Sequence, residues 1–390
     1  MTTDSDRVQE KLLDLAWSLW TGLGLPGQID NHFDHGIDPE ALVVFTVGLG
    51  DADPRLRNEA VDWCIRYGGL LSGARLKNLV AKADDGVRAR FGEFAATVAA
   101  HSPHRWSGMT EARPYSPRER PSIGAFTRQS QMVLRLRAWA GIGVRAEIIR
   151  AFFTKADTAF GASDLADETG YSKRSVAQVL DTLCLGDALQ AFPVRNQIHY
   201  RMPQQTVERL RELLAPAPVF FVRWPFVVRV LRTAFEAVSL FESKKEAARA
   251  VEARSVVEKL ASEIHAAWLP APNRDVHGAG FWGQFVSWLS AVADNLAAGN
   301  EPAGDRFKSR WSDLAAPHKG EAMERGDFAV WRSPLGEGSL PWALGFCKKG
   351  RPREELDQGV RYPTIEDAKR TAEVRQLTLD KGRFGGDGLL

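Results

Sequence analysis

Cysteine is scarce in this chain: 390 residues contain only Cys64, Cys184 and Cys347, far apart and without C-x-x-C spacing. That excludes a disulfide framework and a zinc knuckle, and fits a reducing, cytoplasmic setting. An excess of one charge is missing too. Lysine and arginine number 51 against 49 aspartates and glutamates, a formal net charge of +2, so whole-chain charge indicates no polyanionic partner. Long apolar runs are absent. Even the greasy stretch 219–241 contains Arg223, Arg229, Arg232 and Glu236, and the N-terminus lacks a cationic segment leading into an apolar one, so neither a membrane span nor a leader is expected. There is no G-x-S-x-G, Walker loop or H-E-x-x-H, and no enzyme activity, cofactor or metal is therefore expected. Gly22-Leu23-Gly24-Leu25-Pro26-Gly27 fits G-x-G-x-x-G in letters only, since it follows a helical pattern and Pro26 has no N–H to offer a phosphate. His32, Asp34 and His35 lack a further spaced ligand group and read as polar loop residues.

What is present is the composition of a folded protein, 44% hydrophobic and 26% charged, long enough for several domains. The expected architecture is mainly α: a helical domain over 1–100, a Pro/Arg-rich linker and lead-in over 101–142, a compact module over 143–202, a helical body over 203–300 and an irregular α+β end over 301–390. Val8, Leu12, Leu15 and Leu19 recur at helical spacing. Asp38-Pro39 and Asp53-Pro54 each supply a capping acceptor followed by a proline suited to the first helical position. The Asp38-Pro39 start makes Val43-Val44-Phe45-Thr46-Val47 part of a helix although its composition suits a strand. Ser72 is expected to cap a helix through Leu76, Leu79 and Val80. Between residues 113 and 155 lie eight arginines and one lysine against Glu119 and Glu147, a local cationic excess suited to phosphate contact.

The most specific pattern occupies 143–202. A helix over 144–153 places Val144, Ile148, Ala151 and Phe152 on one side. Ser163 caps a short helix carrying Leu165 and Ala166, Gly170 allows a tight turn, and Tyr171-Ser172 leads into a helix whose apolar stripe is Val176, Val179, Leu180 and Leu183. Lys173, Arg174, Ser175 and Gln178 are left at its exposed N-terminal end. Two candidate strands, 188–192 and 197–202, flank Arg195-Asn196. This succession resembles the winged helix-turn-helix of bacterial transcriptional regulators, over about 60 residues.

The resemblance implies a helix at 172–184 entering the major groove and a wing at 188–202 touching backbone. The DNA-binding residues it implies are Ser172, Lys173, Arg174, Ser175, Gln178, Arg195, Asn196 and Gln197, with Arg128 and Arg135 from the basic lead-in. Arg174 suits guanine and Gln178 suits adenine. The expected function is a sequence-specific DNA-binding regulator of double-stranded DNA, one version being an antitoxin-like autorepressor. The alternative is a protein-interaction scaffold that uses the same module for docking.

Beyond the module, a helix over 204–214 is followed by one opened by Pro225 and running to Phe241. Ser243-Lys244-Lys245-Glu246 matches a capping box ahead of Ala250, Ala253, Val257, Leu260, Ile264 and Trp268. That pair of helices suits an intrachain hairpin or the two-fold contact of a homodimer. Phe281, Trp282, Phe285, Trp288 and Leu289 form an aromatic helix face. The stretches 328–331 and 342–346 are expected to pair as strands, and Thr364 to cap a last helix to Leu377. An effector, if one is sensed, is not legible.

Overall fold

The computed structural model describes residues 3–26, 33, 35–118, 123, 125–154, 159–194, 196–214, 220–273, 275–300, 302 and the strands at 328–332, 342–346 and 354–355. These residues are mainly helical, with a small three-stranded antiparallel sheet at 160–201. The helix expected from Thr364 lies outside them. Contacts divide the chain into two units, one formed by 1–150, 163–179 and 211–304, the other by 151–162, 180–210 and 305–390.

The first unit begins with helix α1 (Asp4–Gly22), closed by a reciprocal capping box between Thr3 and Asp6. Strand β1 (His35–Gly36) leads to α2 (Pro39–Gly48), where Asp38 accepts from the Ala41 N–H at 3.1 Å and Pro39 sits in the first turn. Every residue from Pro39 to Val47 is buried, which is why this helix has strand-like composition. Asp53 caps α3 (Pro54–Tyr67) and Ser72 caps α4 (Gly73–Ala81). Asp84 caps a further helix, α5 (Asp85–Ala100). Within the span read as a linker, α6 (Met132–Ala140) buries Met132, Val133, Leu134 and Leu136. The next helix, α7 (Val144–Thr154), lies as expected from its apolar spacing.

After the module come strand β5 (Phe220–Phe221), parallel to β1, and α11 (Trp224–Phe241), α12 (Glu246–Lys259), α13 (Ala261–Ala266) and α14 (Phe281–Ala297). Here α1 packs on α14, and α11 packs on α12, α13 and α2. The Trp282 indole donates to Asp4 at 2.8 Å, the Ser18 hydroxyl donates to the Ala297 carbonyl at 2.6 Å, and the Trp224 indole donates to the Gly36 carbonyl at 3.1 Å. Helices expected as two domains, before residue 100 and after 203, thus share one core. The apolar face of α11 is covered within the chain, which removes it as an argument for a dimer. The expected capping box at Ser243 does not form, because the chain enters α12 at Lys245, and the single helix expected through Trp268 breaks at Leu260. No helix among the described residues is long and apolar enough to cross a membrane.

In the second unit, strand β2 (Phe160–Gly161), β3 (Gln190–Val194) and β4 (Gln197–Arg201) form a sheet in the order β2-β4-β3. The hairpin register pairs Gln190 with Arg201, Phe192 with His199 and Val194 with Gln197. Its first strand starts two residues later than the sequence suggests. Helix α10 (Gln204–Leu213) follows, with Val207 and Leu210 buried. Phe152 and Phe160 meet edge to face, and Leu183, Leu189, Tyr200 and Met202 are buried as well. A separate sheet joins β6 (Phe328–Arg332), β7 (Trp342–Phe346) and β8 (Glu354–Glu355), so the expected pairing of the first two is present.

Candidate nucleic-acid interface

Helix α8 (Ala162–Thr169) starts one residue before Ser163, so that serine lies in its first turn instead of capping it. The helix ends at Gly170, whose φ of +76° lies in the left-handed region that side chains avoid. Three residues later α9 (Lys173–Leu185) begins. The Ser172 hydroxyl accepts from the Ser175 N–H at 3.2 Å and shares a 2.8 Å hydrogen bond with the Ser175 hydroxyl, so both serines stabilise the start of the helix. Ser172, Lys173, Arg174 and Gln178 are exposed and Ser175 is half-buried. Among the described residues no ion pair or hydrogen bond engages the Lys173 or Arg174 side chain. Val176 and Leu180 are fully buried and hold the opposite face. Asn196 and Gln197, between and at the start of the hairpin strands, are exposed; Arg195 lies outside the described residues.

The cationic stretch is partly engaged within the chain. Arg137 donates to Glu40 at 2.6 and 2.8 Å and to Glu147 at 2.7 Å, and Arg150 donates to Glu147 at 2.8 Å. Glu168 lies 3.5 Å from Arg150 and 3.1 Å from Arg223. Arg75 donates to Glu40 at 2.8 Å and to both oxygens of Asp38. Four arginines and four carboxylates therefore neutralise one another inside the first unit. Burial alone pushes the Glu147 carboxyl up, yet Arg75, Arg137 and Arg150 outweigh it and hold the group far below the usual carboxylate range. Asp38 is likewise held low against burial, chiefly by Arg75.

Other members of the same stretch are engaged as well. Arg113 pairs with Glu93 at 2.6 Å and Asp51 at 2.7 Å. Arg135 donates to the carbonyls of Phe126 at 2.7 Å and Leu214 at 2.5 Å, and Arg128 donates to the Thr21 carbonyl at 3.2 Å, at the end of α1. Arg128 and Arg135, expected to meet phosphates, thus bond carbonyls at a helix end and in a loop, with Arg128 exposed and Arg135 half-buried. Within that stretch Arg137 and Arg150 are buried, whereas Arg118, Arg128 and Arg145 remain exposed, because a stretch of sequence rich in arginine reports nothing about where its carboxylate partners lie.

Three further residues reach this turn: Ser72, expected only as a helix cap, and Arg75 and Asn78, for which the sequence carries no expectation. Arg75 Nε donates to the Thr169 carbonyl at 2.9 Å, Asn78 donates to the Gly170 carbonyl at 2.8 Å, and the Ser72 and Tyr171 hydroxyls lie 2.6 Å apart. They stand more than 90 positions upstream, and no local pattern marks them. His35, considered as a polar loop residue, is instead a fully buried strand residue packed against Phe33 and Trp224, and burial lowers its pKa to about 4. His32 and Asp34 lie outside the described residues, among which no group of three metal-ligating side chains is found. Comparison with family models, curated proteins and solved structures gave no match, so the geometry stands by itself.

Proposed function

We propose that residues 143–202 form a winged helix-turn-helix and that the chain is a sequence-specific DNA-binding regulator, with α9 as the reading helix. The observation that carries this is the N-terminal turn of α9: Lys173 and Arg174 are exposed and unengaged, directly after a turn whose carbonyls accept from Arg75 and Asn78. A helix fits the major groove, and its first turn presents both side chains and unsatisfied N–H groups. The order of elements supports the reading, with α7, β2, α8, α9 and then the β3–β4 hairpin along the chain. Regulation of the chain's own promoter, as in an antitoxin-like autorepressor, and a homodimer reading paired half-sites both belong to this proposal. The test compares Arg174→Ala with Arg195→Ala on a duplex from upstream of the chain's own reading frame and on random duplex. Arg174→Ala should weaken the specific duplex by about 1–3 kcal/mol and random DNA much less, whereas Arg195→Ala should weaken both alike. Equal losses in both variants contradict the assignment.

A second reading, a docking module for protein, is favoured by the charge and apolar exposure of the same segment. Residues 159–202 hold four cations, Lys173, Arg174, Arg195 and Arg201, against five carboxylates. Asp164 and Asp167 are exposed on α8, and Leu185 and Ile198 are 90% and 57% exposed. On this reading the full chain retains no duplex even at low salt.

A further inference from the structure

A single face of α4 and its cap meets three consecutive residues of the turn before α9. Ser72, Arg75 and Asn78 are spaced three apart, the interval that places side chains on one side of a helix. Their partners are Tyr171, Thr169 and Gly170 respectively, at 2.6, 2.9 and 2.8 Å. Two of these partners are carbonyls at the C-terminus of α8, groups that a helix leaves without an internal donor. Cationic and amide donors placed there satisfy them and suit the negative end of the helix dipole. The same Arg75 is clamped by Asp38 and Glu40, and the Ser72 N–H donates to Glu40 at 2.6 Å. The turn is therefore tied, through one arginine and one serine, to the buried start of α2.

We propose that α4 is a positioning element for the reading helix, with Asn78 and the Ser72–Tyr171 pair as positioning residues that fix the direction in which Lys173 and Arg174 leave the surface. This rests on the DNA-binding reading and extends it to residues outside the module. Three bonds to three successive residues determine the turn's orientation as well as its position, which a single anchor cannot do. Base reading depends on that orientation, whereas attraction to phosphate tolerates error. Loosening the anchor should thus cost specificity before it costs general affinity.

The test uses the full chain with Asn78→Ala, Tyr171→Phe and both together, since each removes one peripheral bond and leaves the buried ion pairs intact. Three quantities are read: the melting temperature, amide hydrogen exchange of the segment 169–178, and affinity for the upstream duplex and a random duplex. The expected result for the double variant is about tenfold faster exchange confined to 169–178, and a loss of about three- to tenfold on the upstream duplex with under twofold on random DNA. Unchanged exchange in that segment overturns the proposal, as does exchange that rises equally throughout α1, α2 and α14, or a specificity ratio that does not move. Wild-type protein that retains neither duplex defeats the DNA-binding reading and the positioning role with it. That failure is told apart from a failure of the anchor alone because the exchange data still show whether α4 holds the turn.

Discussion

The arginines at the centre of the first unit and those at the tip of α9 have the same chemistry and opposite surroundings. Arg75, Arg137 and Arg150 are each 1% exposed and meet Asp38, Glu40, Glu147 and Glu168; Lys173 and Arg174 stand in solvent with no carboxylate paired to them among the described residues. Burial makes a charge depend on its partner, because desolvation is repaid only by close opposite charge and hydrogen bonds. Exposure leaves a charge available for something outside the molecule. The contrast separates cations that hold the fold from cations that are presented, although the sequence places both kinds within one 100-residue stretch.

Substitutions at the two places should therefore have unlike effects, and the largest belongs to the buried group. Arg137→Met leaves Glu40 and Glu147 with a missing counter-charge and is expected to cost about 3–5 kcal/mol in urea unfolding; a loss under about 1 kcal/mol breaks the comparison. His35 sharpens it, because burial is the main influence on its charge. Its pKa falls from 6.5 to about 4, so the neutral form is favoured by the fold. Its contribution is fully present above pH 6.5 and is lost as pH falls from 6.5 toward 4, about 3 kcal/mol at full loss. His35→Phe should flatten the stability–pH profile in that window, measured by chemical denaturation. Glu147 differs: held far below its ordinary value of 4.5, it contributes fully above that value and loses its contribution only as the pH falls further.

At the tip of α9 the effects on stability should be smaller. Ser172→Ala removes the acceptor for the Ser175 N–H and is expected to cost about 1 kcal/mol. Lys173→Ala with Arg174→Ala should change stability by no more than about 0.5 kcal/mol while lowering affinity for the upstream duplex at least tenfold. Calorimetry and fluorescence anisotropy on the same samples separate the two quantities, and a large melting shift would place these side chains among the structural ones.

Much of the fold was legible because its signals are local. Asp38-Pro39 and Asp53-Pro54 mark helix starts, and the capping preference correctly overrode the strand-like run from Val43 to Val47. Gly170, the stripe of Val176 and Leu180, and the pairing of residues 328–332 with 342–346 also follow from spacing and turn chemistry. What was not legible is non-local. Helix α1 packs on α14 across more than 270 residues, and Glu40 meets Arg137 across 97. Periodicity says which face of a helix is apolar and leaves its partner open, which is why α11 suited a dimer as well as an intrachain hairpin. The exposed tip of α9 was legible as a pattern of side chains, but its anchoring by Ser72, Arg75 and Asn78 was not, since those residues look like ordinary members of a capped helix.

The most direct test is the affinity of the full chain for the upstream duplex as a function of salt. With Lys173, Arg174, Arg195 and Arg201 as the cations offered to phosphate, the logarithm of the binding constant should fall against the logarithm of salt with a slope of about −2 to −4. Absence of retention at low salt, or a binding constant indifferent to salt, would contradict the claim that this helix meets DNA.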